Sequence, residues 1–280
     1  MTRLRRTIDE ATAALTRAGI DSAQVDAELL AAHAAGVERG LLPFHEPDES
    51  FYAGYRSLVD ARASRIPLQH LTGSAAFGPL LLDVGPGVFI PRPETEALLE
   101  WALKQRLSPS PVIVDLCTGS GALAAAIAEL NPHAHVVAVE DSTVALGYAR
   151  RNCAGRDVEL VEADVTSADV LSAHDGTVDL VVSNPPYIPD AAVLDPEVAE
   201  HDPTHALFGG PDGMRVIGPI VTLAARLLRP GGRVGIEHDD DTAAATVALF
   251  EASGAFTDVT SRRDLARRPR FVTATRKGSG

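Results

Sequence analysis

Eleven consecutive residues, Val114-Asp115-Leu116-Cys117-Thr118-Gly119-Ser120-Gly121-Ala122-Leu123-Ala124, carry an apolar strand into a glycine-rich turn and then into an alanine-rich helix. The flanking chain keeps the same rhythm: a helix from Glu94 to about Gln105, strands at Val112-Ile113-Val114 and Val136 to Val139, and helices from Ala122 and near Ala145. Repeated βα units predict a parallel sheet covered by helices on both faces. Further strands are expected at Val158 to Val161, Asp179 to Val182 and Arg233 to Ile236, with helices from about Met214 to Leu228 and Thr242 to Ala252. Ala255 to Val259 and Arg270 to Ala274 are expected to close the sheet as an antiparallel pair. The fold class is α/β, Rossmann-like.

Upstream the texture differs. From about Leu4 to Arg65 apolar residues recur at helical spacing, as at Val25, Leu29 and Leu30, with Asp21 or Ser22 placed to cap the second segment. A small helical bundle is predicted. Between Pro67 and Pro93, short apolar runs such as Ala75-Ala76-Phe77 and Leu80-Leu81-Leu82 are broken by Gly78-Pro79, which predicts a β-hairpin. The expected organisation is a helical domain over 1–66, a hairpin linker over 67–91 and the sheet domain over 92–280. The Lys277-Gly278-Ser279-Gly280 tail is expected to be mobile.

Charge and cysteine content narrow the function. A net charge of −13 disfavours broad nucleic-acid binding, which needs a cationic surface to release counterions from phosphates. The two cysteines, Cys117 and Cys153, form no C-x-x-C pair, which suits a reducing compartment, and the expected location is cytoplasmic. The basic start is followed by Asp9 and Glu10 where a signal peptide would need an apolar stretch. No apolar run reaches the roughly 18 residues needed to cross a bilayer.

In the glycine turn, missing side chains let the backbone approach a ligand, and the helix N-terminus offers free N–H groups, so a ligand's negative end is expected there. Glu140 closes the next strand, 19 residues after Gly121, where a carboxylate accepts from ribose hydroxyls. Gly119-x-Gly121-x-x-Ala124 also satisfies the dinucleotide fingerprint, so the turn alone leaves nicotinamide enzymes and methyltransferases both open. Asp164, ending the strand Glu159 to Ala163, is placed either to accept from an adenine amine or to cap its own loop. Cys117 is expected to be a small buried turn residue rather than a nucleophile.

Asp179-Leu180-Val181-Val182-Ser183-Asn184-Pro185-Pro186-Tyr187-Ile188-Pro189 places a second motif at a strand's carboxyl end, facing the same crevice as the glycine turn. An amide nitrogen is a poor nucleophile because its lone pair is delocalised into the carbonyl. The Asn184 side-chain oxygen and the Pro185 carbonyl are suited to accept two amide hydrogens, and both contacts strengthen as the nitrogen becomes positive. The prolines hold these acceptors rigid, and Tyr187 offers a flat wall for a planar group. The candidate catalytic set is Asn184, Pro185, Pro186 and Tyr187.

Together with Pro67-Leu68-Gln69-His70-Leu71-Thr72-Gly73 and Phe89-Ile90-Pro91-Arg92-Pro93-Glu94-Thr95-Glu96, these motifs make the chain resemble the release-factor glutamine N5-methyltransferases, the PrmC/HemK family, over nearly its whole length. Asn-Pro-Pro-Tyr alone also occurs in methyltransferases of nucleic-acid amino groups; its pairing with the Phe89 to Glu96 segment points to protein substrates. The resemblance implies a class I methyltransferase sheet, S-adenosyl-L-methionine as cofactor, and methylation of the glutamine in the Gly-Gly-Gln loop of class I peptide chain release factors. It also implies a helical N-terminal domain that helps hold that substrate. The implied cofactor set is Asp115, Cys117, Thr118, Gly119, Ser120, Gly121, Glu140, Asp164, Val165 and Asn184. Cys117 stands where many members have Gly, Glu140 where Asp is common, Val165 where some have an aromatic, and Arg267 where a Gly often follows Asp264-Leu265-Ala266.

His201-Asp202-Pro203-Thr204-His205 and His238-Asp239-Asp240-Asp241 hold metal-ligand types, but Pro203 interrupts helical spacing and the acidic run suits a solvated loop, so no metal is expected. Arg262, Arg263, Arg267, Arg268 and Arg270 are expected to protect a sheet edge, with contact to RNA or an acidic protein surface as the alternative. Glutamine methylation leads; methylation of a nucleic-acid amino group and a noncatalytic cofactor-binding module are the other two classes. The expected partner is a release factor, with no direct nucleic acid or membrane contact, and a monomer is expected.

Overall fold

Apolar runs become strands and 3.6-period segments become helices in a computed structural model that describes residues 2–278. The expected mobility of the tail falls on Ser279 and Gly280, which lie outside the described residues, as well as on Lys277 and Gly278. In chain order the elements are α1 (Arg3–Arg17), α2 (Ala23–Ala35), α3 (Glu49–Ala63), α4 (Leu68–Thr72), β1 (Ser74–Phe77), β2 (Leu80–Asp83), α5 (Glu96–Leu103), β3 (Val112–Leu116), α6 (Ala122–Leu130), β4 (His135–Glu140), α7 (Thr143–Asn152) and β5 (Val158–Glu162). They continue with β6 (Val178–Ser183), α8 (Pro196–His201), α9 (Thr204–Leu207), α10 (Ile217–Leu227), β7 (Leu228–Glu237), α11 (Ala243–Ala252), β8 (Phe256–Arg263) and β9 (Pro269–Arg276).

The chain divides into two compact units. The first comprises Met1–Ser74 and Asp195–His201. Thr2 and Asp48 cap α1 and α3 through side-chain oxygens, whereas Ser22 makes no such bond to α2 and instead donates to Asp26 at 2.8 Å. Leu15, Leu30 and Tyr55 are fully buried, and the Tyr55 hydroxyl donates to the Ala27 carbonyl at 2.9 Å. The unit runs past residue 66 because Leu68 and Leu71 of α4 pack on its core. It takes in α8 because buried Arg62, 2.7 Å from Asp26, also pairs with Glu197 at 2.9 Å.

The second unit, Ala75–Leu194 with Asp202–Gly280, holds a seven-stranded sheet in the order β5-β4-β3-β6-β7-β9-β8. β3 to β7 are parallel; β9 runs antiparallel between β7 and β8. β3, β4 and β6 are apolar almost throughout because helices cover both of their faces. The period of two divides them: Ile113, Val136, Ala138, Leu180 and Val182 join α5 and α6, while Val114, Val137, Val139 and Val181 join α10 and Phe250 of α11. Strands β1 and β2 pair separately as the expected hairpin. Among the described residues, no helix is long and apolar enough to cross a membrane.

Candidate active site

Strand order turns around between β3 and β6, since β4 and β5 extend the sheet one way and β6 and β7 the other. Ligands of such sheets bind beyond the strand ends at that switch point. Leu116 pairs with Ser183 in register, and the Ser183 hydroxyl donates to the Leu116 carbonyl at 2.7 Å. Cys117 and Asn184 therefore leave the sheet side by side. They open onto a cavity of about 530 Å³ whose wall includes Asp115, Cys117, Thr118, Gly119, Ser120, Glu140, Asp164, Val165, Asn184, Pro185, Pro186 and Tyr187. Gly121 does not line it. With φ at +81° and an added Cβ only 3.0 Å from Cys153 Sγ and 3.2 Å from the Ala149 backbone, it seats the turn on α7.

One half of the cavity is acidic. Asp115 is buried; its Oδ2 accepts from the Thr118 hydroxyl at 2.5 Å and the Ala124 N–H at 3.1 Å. This carboxylate occupies the start of α6, where the sequence suggests a ligand's negative end, so the helix dipole is answered from within the chain. Its Oδ1 is buried without a partner among the described residues, and burial pushes its carboxyl up to about 7. Glu140 accepts from the Gly119 N–H at 2.8 Å and the Ser142 N–H at 3.0 Å, and burial raises it as well, with Asp141 adding repulsion. Asp164 accepts from both the Thr166 N–H and hydroxyl, so it braces its own loop while facing the cavity. A pyrophosphate would meet repulsion here, whereas a ligand with an ammonium, a sulfonium and ribose hydroxyls meets the orphaned Asp115 oxygen and the acceptors of Glu140. S-adenosylmethionine fits this donor and acceptor set, and the dinucleotide alternative does not.

The other half is built from distant segments. The Asn184 Nδ2 donates to the Thr95 hydroxyl at 3.1 Å. Tyr187 lines the cavity, and burial pushes its hydroxyl above its ordinary range, with the charge of Arg270 opposing the shift. The segment from Pro203 to Val216 runs beside this corner: Ile188 N–H donates to the Leu207 carbonyl and Gly209 N–H to the Ile188 carbonyl, both at 2.9 Å. An added Cβ on Gly213 would lie 2.2 Å from the Tyr187 carbonyl oxygen, so only glycine permits this approach.

Sequence reasoning quoted Phe89, Thr95 and His205 within motifs but assigned none of them to this site, and it did not single out Asn152. Buried Asn152 donates to the Ser120 carbonyl at 2.8 Å and the Asp83 carbonyl at 2.9 Å, bracing the glycine turn. His205 lies with Glu140 and Asp141 at the cavity, whereas His201 is in the first unit with its ring 6.3 Å from that of His70. Proline before the second histidine was a usable signal that the two histidines part company; the Thr95 and Asn152 contacts span 89 and 32 residues and had none. In the C-terminal cluster, Arg270 pairs with Asp240 and Asp264, and Arg268 with Asp240.

A parallel sheet reversing beside this cavity, an acid-lined glycine turn and an Asn-Pro-Pro-Tyr corner together define a class I methyltransferase. Comparison with known proteins agrees: residues 63–201 match the methyltransferase small domain, and residues 7–73 the PrmC N-terminal domain. A release factor glutamine methyltransferase of Mycolicibacterium smegmatis is 65% identical over 99% of both chains, and one of Mycobacterium tuberculosis is 60% identical over 98% of this chain and 92% of the other. A methyltransferase structure from Pyrococcus furiosus shares the fold, with a TM-score of 0.53 at 22% identity over 79% of this chain and 100% of that one. The chain belongs to the release factor glutamine methyltransferase family.

Proposed function

We propose that this protein methylates the side-chain amide nitrogen, N5, of the glutamine in the Gly-Gly-Gln loop of class I peptide chain release factors, using S-adenosyl-L-methionine. The observation that carries this reading is the joint presentation of the acidic turn and the Asn184 to Tyr187 corner on one cavity wall. Asp115, Cys117, Thr118, Gly119, Ser120, Glu140, Asp164 and Val165 would hold the cofactor, which when bound supplies an electrophilic methyl group on a sulfonium. Glu140 would accept from its ribose hydroxyls, and Asp115 would answer its ammonium.

Asn184 Oδ1 and the Pro185 carbonyl accept the two hydrogens of the glutamine amide, turning its nitrogen lone pair toward the cofactor side. Both oxygens stabilise the positive charge that grows on nitrogen, and because Pro185 and Pro186 stiffen the backbone they do so with little reorganisation. Tyr187 walls the amide plane. No strong base is needed, because a methylated, positively charged amide nitrogen gives up its proton to water. Both cysteines are free thiols, which suits a reducing cytoplasm.

The test is transfer of labelled methyl from S-adenosylmethionine to a purified class I release factor, beside its Gln→Ala loop variant and a nucleic-acid control. Label confined to the intact loop is expected. Label on nucleic acid, or on the variant loop, would overturn the substrate assignment.

A further inference from the structure

His205 reaches the cavity wall from α9, a segment remote in sequence from the glycine turn and from Glu140 and Asp141. The segment is held at both ends. Asp202, just ahead of α9, pairs with Arg92, and at the other end the Leu207 carbonyl accepts from the Ile188 N–H at 2.9 Å. Between these anchors the Ala206 N–H donates to the Pro203 carbonyl at 2.9 Å and the Phe208 N–H to the Thr204 carbonyl at 3.2 Å. The His205 imidazole is exposed, and one of its ring nitrogens, one Glu140 oxygen and one Asp141 oxygen all lie within 4.8 Å of one another.

That spacing suits a ligand hydroxyl set between the groups. A hydroxyl that donates to a carboxyl oxygen at about 2.7 Å and accepts from a ring N–H at about 2.9 Å, with a near-tetrahedral angle between the bonds, holds its two partners roughly 4.6 Å apart. A ribose hydroxyl has one hydrogen to give and two lone pairs to satisfy. Carboxyl groups answer the hydrogen but leave the lone pairs without donors. Asp115, Glu140, Asp141 and Asp164 bring acceptors to this half of the cavity, while Thr118 and Thr166 already give their hydroxyl hydrogens to Asp115 and Asp164. An imidazole carries at least one N–H whatever its charge or tautomer. The bridge does not depend on an ionised Glu140, because the carbonyl oxygen of a neutral carboxyl also accepts, and each Glu140 oxygen keeps a lone pair beyond the backbone N–H it receives from Gly119 or Ser142.

We propose that His205 is a cofactor-binding residue whose ring N–H donates to a ribose hydroxyl of S-adenosylmethionine, the hydrogen of that hydroxyl going to Glu140. A segment anchored beside the Asn184 to Tyr187 corner thereby completes the ribose site across the cavity. This rests on the reading of the glycine-turn half as the cofactor site and of Glu140 as its ribose acceptor.

The experiment measures Kd by calorimetry for S-adenosylhomocysteine and for its analogue lacking both ribose hydroxyls, in the full chain as wild type, His205→Ala and His205→Gln. Thermal unfolding of the unliganded proteins is the folding control; because His205 is exposed, the melting temperature should stay within about 2 °C of wild type. His205→Ala is expected to weaken S-adenosylhomocysteine by about three- to tenfold, the scale of one neutral hydrogen bond, and to leave the analogue within about twofold. His205→Gln keeps an N–H donor and should lose less than His205→Ala. Equal losses for the two ligands in His205→Ala, or no loss for either, would overturn the ribose contact while leaving the cofactor site in place. Wild-type protein that binds neither ligand, or binds both with the same Kd, would instead remove the reading of Glu140 on which it rests.

Discussion

The two halves of the cavity are made in different ways. The cofactor half is nearly local: the Thr118 and Ala124 contacts to Asp115 span 3 and 9 residues, and the Gly119 contact to Glu140 spans 21. In the acceptor half, Asn184 meets Thr95 across 89 residues. A βα unit can build the first within one crossover, whereas the second forms only when β6, β7, the segment before α5 and the strand pair β8–β9 have all docked. The half proposed to bind the cofactor is thus nearly self-contained, and the half proposed to receive the acceptor depends on the finished fold.

Five measurements break or sharpen that contrast. The largest effect is expected from Asn184→Ala, which should cut kcat by about 100-fold or more with cofactor Kd little changed, as for loss of one oriented transition-state contact. A comparable rise in cofactor Kd, read by calorimetry, would show that the halves are not separable. Glu140→Gln should do the opposite, raising cofactor Kd by about tenfold or more through lost charged hydrogen bonds, with kcat at saturation far less affected.

Proton linkage gives a third expectation. Glu140 sits in the folded protein with its pKa pushed up to about 7 by burial, and in the proposed site its ionised form is the better acceptor for ribose hydroxyls. Cofactor affinity should therefore strengthen by about tenfold or more from pH 6 to pH 8, and Glu140→Gln should reduce the slope to the part that comes from Asp115. A profile that strengthens toward acid would contradict the assignment. For the apoprotein the sign reverses. Carboxyls raised by burial, such as Asp115, resist ionisation in the fold, so their contribution to stability declines as pH rises from the unfolded value through about 7.

Tyr187→Phe keeps the wall and removes a hydroxyl that faces Arg270, so kcat within about threefold of wild type is expected, against a larger loss for Tyr187→Ala. The smallest effect concerns stability. Arg267 holds φ at +64° in the β8–β9 turn, where its N–H donates to the Asp264 carbonyl at 3.0 Å, so the turn closes despite the missing glycine. Arg267→Gly should relieve about 1 kcal/mol of left-handed strain and raise the melting temperature by about 2–4 °C, with activity unchanged. An unchanged or lower melting temperature would mean that the Arg267 side chain offsets its backbone.

Much of the fold was legible because its signals are periodic and local. β3, β4 and β6 stand out as apolar runs, the expected strands at Val158 and Asp179 form with small extensions, the one expected over Arg233 to Ile236 begins five residues earlier at Leu228, and the C-terminal antiparallel pair is present. Helix caps were less legible: Ser22 has the right residue type for a cap, but the side chain of Asp26 takes its hydroxyl. The domain boundary was also hidden, because the pairing of Arg62 with Glu197 joins residues 135 positions apart.

By itself, the sequence determined the βα rhythm, the glycine turn and the Asn184 to Tyr187 corner, because backbone sterics, side-chain period and the stiffness of proline act between near neighbours. The tertiary structure alone decided that Asp115 would fill the helix N-terminus as a half-satisfied buried acid, that Gly121 would face α7 and not the cavity, and that Asn184 would meet the Thr95 hydroxyl. Those outcomes depend on burial and on hydrogen-bond partners brought from other strands, quantities that exist only once the sheet and its helices have closed around them.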